Sequence, residues 1–147
     1  MTHKEKALSY FGNNFNCSQA VFTTFATDVG IDEDTALMIS TNFGGGARSG
    51  ELCGAVAGAL MVLGLKHGHC HSDNIEEKSE AYDLATEFNK RFSEKNGSIV
   101  CRDLLGYDLT IPEDIKIIKE KNLFKTICPQ MVADATEIVE QMLSEIE

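Results

Sequence analysis

Two prolines, three arginines, no apolar run of bilayer length and no closely spaced cysteine pair are the scarcities of this 147-residue chain, and each excludes something. With so few prolines and 43% hydrophobic residues, the chain reads as one compact domain over residues 1–147 without a disordered tail. A domain of this size buries roughly 70% of its unfolded surface and needs no disulfides to fold. Thirteen basic residues against twenty-three acidic ones leave a net charge of −10, which repels phosphate backbones and anionic lipid. Neither nucleic acid nor a membrane surface is therefore an expected partner. The longest apolar run, Leu52 to Leu65, falls short of the roughly 20 residues that span a bilayer, and the opening MTHKEKALSYFGNN has no stretch suited to a secretion signal. The expected location is cytoplasmic. An odd count of five cysteines in such a chain argues against a permanent disulfide framework. The absence of CxxC and CxxCH argues against structural zinc, a thioredoxin-like motif and covalent haem.

What is present is helical periodicity. A short first segment closes at Tyr10-Phe11, and Cys17 to Val29 follows with Ala20, Val21, Thr24, Phe25 and Val29 at helical spacing. Asp32 can cap a third helix reaching about Thr41. A loop with four glycines, Asn42 to Gly50, leads into Glu51–Leu65, which is hydrophobic all round and is expected to be the central helix. Gly54 and Gly58, with Ala55 and Ala59 beside them, leave a smooth face that permits close backbone approach and makes a homodimer plausible. Asp73 and Glu76 suit a capping box for a long helix ending at Asn96-Gly97, with Ile75, Tyr82, Ala85, Phe88 and Phe92 along one face. A short helix at Cys101–Leu105 stops at Gly106; Pro112 opens another to about Asn122, and Pro129 opens the last. The fold class is all-α, a compact bundle of six to eight helices around an apolar, Gly/Ala-rich central helix.

Four cysteines share one placement. Asn16 and Gln19 have the logic of a capping box, which puts Cys17 at the first helical position. Ser49 can cap the central helix, leaving Cys53 about one turn in. Ser98 can cap the short helix with Cys101 in its first turn, and Cys128 precedes Pro129. Free N–H groups and the helix dipole favour an anion at such positions by roughly 0.3–1 kcal/mol, so lowered thiol pKa values are expected. Arg48 and Arg102 lie within five residues of Cys53 and Cys101 and could stabilise negative sulfur. Against this stands the simpler reading of cysteine as a small buried hydrophobe.

Cys17, Cys53-Gly54-Ala55 with Gly58, Cys101 and Cys128, together with FGGGARSGE, CRDLLG and NLFKTICPQMV around them, resemble the family of redox-active proteins named for the pattern C_GCAxxG_C_C. The resemblance covers nearly the whole chain and carries the four family cysteines onto Cys17, Cys53, Cys101 and Cys128, while Cys70 has no counterpart. It implies a small cytoplasmic protein with a redox role. A similar domain associated with an iron–sulfur cluster implies cluster ligation by several of these cysteines as one route, and a redox-active disulfide without cofactor as the other.

Two further clusters compete. His67, His69, Cys70 and His71 could bind zinc, copper or nickel, though polar residues after a helix end are ordinary punctuation. The loop Gly44–Gly50 has spacing reminiscent of a phosphate loop, but Glu51-Leu52 replaces the Lys-Ser/Thr pair and no strand precedes it, so its expected task is to bend the backbone toward Cys53. The functional expectation is convergence of Cys17, Cys53, Cys101 and Cys128 as a thiol/disulfide electron carrier or as iron–sulfur ligands. Such a protein is an oxidoreductase or an electron-transfer protein serving an unidentified redox partner. In the dithiol version Cys17 is the expected attacker. The alternatives are a metal-binding or sensor module without turnover, and thiols that only pack.

Overall fold

A computed structural model describes all residues from Met1 to Glu147, and the expected all-α architecture is what it shows. Eight helices of five residues or more are α1 (His3–Gly12), α2 (Cys17–Ala26), α3 (Glu33–Ser40), α4 (Gly54–His67), α5 (Ile75–Asn96), α6 (Cys101–Leu105), α7 (Pro112–Glu120) and α9 (Cys128–Ile146). The single turn Leu123–Thr126, α8, lies before the last of them. No helix is long and apolar enough to cross a membrane.

Local chemistry sets most of these boundaries. Asn16 Oδ1 accepts from the Gln19 N–H at 3.0 Å and Gln19 Oε1 accepts from the Asn16 N–H at 2.9 Å, a reciprocal capping box that starts α2 at Cys17 as expected. Asp32 caps α3 through the Thr35 N–H. Two expected starts move. The long helix is capped by Asn74, which accepts from the Glu77 N–H at 3.0 Å, rather than by Asp73 with Glu76. The apolar helix begins at Gly54 rather than Glu51, because Glu51 and Cys53 are engaged in backbone pairing with the segment before α6.

The centre of the bundle is shared by two helices. All ten residues of α2 are buried, and α4 buries Gly54–Ala59, Val62 and Leu63 against it. A β-carbon on Gly58 would lie 2.8 Å from the Ser18 carbonyl oxygen and 3.2 Å from the Phe22 nitrogen, so the smooth face read from the sequence meets α2 of the same chain. Two polar residues in the first turn of α2 are tied down: Ser18 Oγ donates to the Ser40 carbonyl at 2.6 Å, and Gln19 Nε2 to the Leu37 carbonyl at 3.1 Å, which locks α3 across it. Helix α9 closes the other side with Val132, Ala135, Val139 and Met142. On α5 only Phe88 and Phe92 are buried; Ile75 and Tyr82, expected on the same buried face, are 76% and 62% exposed because the face turned to the bundle runs through Glu77, Ala81, Leu84 and Phe88 instead.

The apolar interior falls into two parts. The larger cluster includes Cys17 and Cys53; a smaller one joins Cys101 to Leu105, Leu109 and Ile118, with Cys128 packed against it. The four cysteines thus sit where the two clusters meet.

Candidate functional site

Three of the four cysteines open a helix: Cys17 in α2, Cys101 in α6 and Cys128 in α9. Cys53 differs from expectation, because it caps α4 with φ −50° and ψ 132° instead of lying one turn inside it. Ser98 does not cap α6 at its first residue; its hydroxyl accepts from the Val100 N–H and donates to Asp103.

Backbone pairing brings two of these positions together. Leu52 and Val100 form an isolated antiparallel bridge, in which the Cys53 N–H donates to the Ile99 carbonyl at 2.8 Å and the Cys101 N–H to the Glu51 carbonyl at 2.6 Å. Residues 48 apart in sequence are held side by side by main chain alone. The glycine-rich loop does the rest. Gly45, Gly46, Ala47 and Arg48 have φ of 66°, 64°, 57° and 60°, a left-handed turn in which two residues are not glycine. Each such residue costs on the order of 1 kcal/mol, so the surroundings must enforce the turn. Its tightness is visible at Gly46, where an added β-carbon would meet the Glu51 nitrogen at 2.3 Å and Cys101 Cβ at 2.9 Å.

Cys17, Cys53, Cys101 and Cys128 all line one cavity of about 330 Å³, walled by apolar side chains that include Phe11, Phe15, Phe124 and Met131. Cys70 stands apart and is exposed. All five thiols are free. No three histidine, cysteine or carboxylate side chains converge tightly enough to hold a single metal ion, the His67–His71 turn included.

The electrostatics reverse the expectation of lowered thiol pKa values. Burial pushes the Cys17 thiol up, although nearby backbone N–H groups, that of Gly45 first, favour the thiolate. Burial likewise raises Cys53, with the neighbouring Cys17 adding to the effect. Cys101 is pushed up to about 11 by burial and by Cys17, with Arg48 and Arg102 pulling the other way. Cys128 is pushed up to about 12 by burial, then by Cys17 and Cys101. Helix starts do supply N–H groups, but desolvation in an apolar pocket outweighs them. Burial disfavours the thiolate at Cys17, the expected attacker, as it does at the other three. Of the four, Cys128 is the one that is half-buried, the other three being buried. Both arginines act on Cys101, the one nearer in sequence to Arg102.

An all-helical bundle with four unbonded thiols around one apolar cavity defines a class of buried polycysteine proteins. Within that class the chain belongs to the C_GCAxxG_C_C family, described as putative redox-active protein, whose family model matches residues 15–142. No curated protein and no solved structure matches the chain.

Proposed function

We propose that the protein is an electron-transfer protein whose Cys17, Cys53, Cys101 and Cys128 hold an iron–sulfur cluster. The observation that carries this reading is the cavity itself: four free thiols from four separate helix starts line one space of about 330 Å³. A single ion would need sulfurs within about 2.3 Å of one centre, which is not the arrangement here. A polynuclear cluster places its own bulk between its cysteine ligands. The raised thiol pKa values fit as well, because a coordinating metal strips the proton from a thiol that burial keeps neutral at pH 7. When bound, the cluster supplies one-electron chemistry. The chain's own contribution is to fix the thiols, set backbone N–H groups such as that of Gly45 near Cys17, and surround the site with apolar side chains.

A second reading is favoured by one observation, the partial exposure of Cys128 beside a buried Cys17 that bears on all three other thiols. Here the Cys128 thiolate attacks a partner disulfide and Cys17 resolves the mixed disulfide, so two electrons pass to the partner as a Cys17–Cys128 bond forms and two partner thiols are released.

Anaerobic purification followed by an absorption spectrum and iron and sulfide analysis separates the readings. A coloured protein containing iron and sulfide, lost on changing each family cysteine to serine but kept in Cys70→Ser, is the expected result. A colourless protein that stays iron-free after reconstitution, yet forms a Cys17–Cys128 bond under mild oxidation, replaces the first reading with the second. A loaded protein that exchanges no electrons with any carrier is a sensor module.

A further inference from the structure

Among the 16 residues lining the thiol cavity, Arg48 is the only one with a full charge. In a chain of 23 acidic and 13 basic residues, a wall chosen without regard to charge would sooner carry a carboxylate. The other two arginines are neutralised, Arg91 by Glu87 and Glu145, and Arg102 by Glu51. Arg48 enters no ion pair; its Nη1 donates only a long hydrogen bond, at 3.4 Å, to the Gly44 carbonyl. The guanidinium lies over Gly45, where an added β-carbon would stand 2.5 Å from Nη1. Its backbone is held at φ 60° and ψ 16°, a conformation that disfavours a side chain and that the fold nevertheless gives to an arginine. An unpaired guanidinium above an apolar cavity has the chemistry to recognise one anionic group on an otherwise apolar molecule.

We propose that the thiol cavity selects a small organic anion, with its carboxylate or similar group on Arg48 and its apolar body among Phe11, Phe15, Phe124 and Met131. The proposal rests on the reading of the four-cysteine cavity as the working site, and not on which redox chemistry that site performs. A thiolate-held cluster is itself an anion, so the test must tell the two apart.

The experiment uses the full-length, reduced, iron-free protein and compares alkylation of each cysteine by iodoacetate and by iodoacetamide, read by peptide mass spectrometry. Both reagents form a sulfur–carbon bond and release iodide while the thiol proton passes to solvent, so their rate ratio isolates the charge of the reagent. At Cys101 and Cys128 the ratio of iodoacetate to iodoacetamide rates should fall about fivefold in Arg48→Gln, be largely retained in Arg48→Lys, and collapse toward the Arg48→Gln value at high salt. Exposed Cys70 should show no change and serves as the internal control. Benzoate should slow iodoacetamide at the cavity thiols of the parent protein but not of Arg48→Gln, and neutral benzamide should protect neither. An unchanged ratio, equal protection by benzoate and benzamide, or cavity thiols inert to both reagents overturns the proposal. Iron loading would fill the space that benzoate takes, so every comparison is made on the iron-free protein. Iron analysis alone leaves this result untouched, so the cluster reading and the anion site fail separately.

Discussion

Gly54 and Cys17 occupy each other's space: a β-carbon on Gly54 would lie 2.4 Å from the Cys17 sulfur, 3.0 Å from the Phe43 carbonyl oxygen and 3.1 Å from Gly44 Cα. The thiol sits where a side chain on the first residue of α4 would have been. Gly54→Ala is expected to destabilise by about 1–3 kcal/mol through overpacking against the Cys17 sulfur and the backbone at Phe43 and Gly44. Gly64, in the same helix, has nothing within 4 Å of an added β-carbon, so Gly64→Ala should stabilise by about 0.5–1 kcal/mol. Urea unfolding of the two variants should move in opposite directions.

The cap of α2 holds more than a helix end. Asn16 accepts from the Gln19 N–H, and its own amide donates to the Thr41 carbonyl at 2.8 Å. Asn16→Ala should cost about 2 kcal/mol, at the upper end for a lost N-cap, because the bond to Thr41 is lost as well. Faster alkylation of Cys17 at unchanged pH would show that the first turn has loosened.

Alkaline pH should weaken the iron-free protein. The Cys101 and Cys128 thiols ionise near 11 and 12 in the fold, against an ordinary value of 9.0. An acid raised above its unfolded value keeps its stabilising effect below that unfolded value, so stability holds up to about pH 9 and falls as pH rises further. Urea midpoints measured between pH 7 and pH 10.5 should decline, and alanine at Cys101 should flatten the decline.

At the opposite end of the molecule, His3 joins α1 to α9 and to the turn after α2. Its Nε2 faces Asp28 Oδ2 at 2.6 Å, its Nδ1 faces Glu140, and the ring stacks on Phe25 at 4.4 Å between centroids. Burial opposes the charge on the ring, but the bonds to Glu140 and Asp28 and their charges outweigh it, and the pKa rises above 6.5. With both nitrogens against carboxylates, the imidazolium is the form that fits. The stabilisation is full below about pH 6.5 and is lost as pH climbs through the raised value. His3→Gln should therefore destabilise more at pH 5.5 than at pH 8.5, measured by thermal unfolding.

Helix identity was legible because periodicity and caps are local: Asn16 with Gln19, Asp32 and Gly97 each act within a few residues. The start of α4 was not, because Glu51 and Cys53 are claimed by hydrogen bonds to residues some 50 positions away, which no local pattern encodes. The placement of Cys17, Cys101 and Cys128 at helix starts was readable, whereas Cys53, expected about one turn inside its helix, is the cap of α4. Their pKa direction was misjudged, since the sequence displays helix starts but not the depth at which each thiol is buried. Likewise Ile75 and Tyr82 were read into the buried stripe of α5, but the contact face runs through Glu77, Ala81 and Leu84, a rotation about the helix axis that only the neighbouring helices fix.

The Leu52–Val100 pairing makes the α4–α5 segment a closed excursion that leaves and returns at one point. Cutting the chain in its exposed hinge at His69–Ser72, and joining the original ends, would rearrange the order of synthesis while leaving that clasp intact. The thiol pocket is in this sense indifferent to where the polypeptide begins, provided the two short extended pieces still find each other.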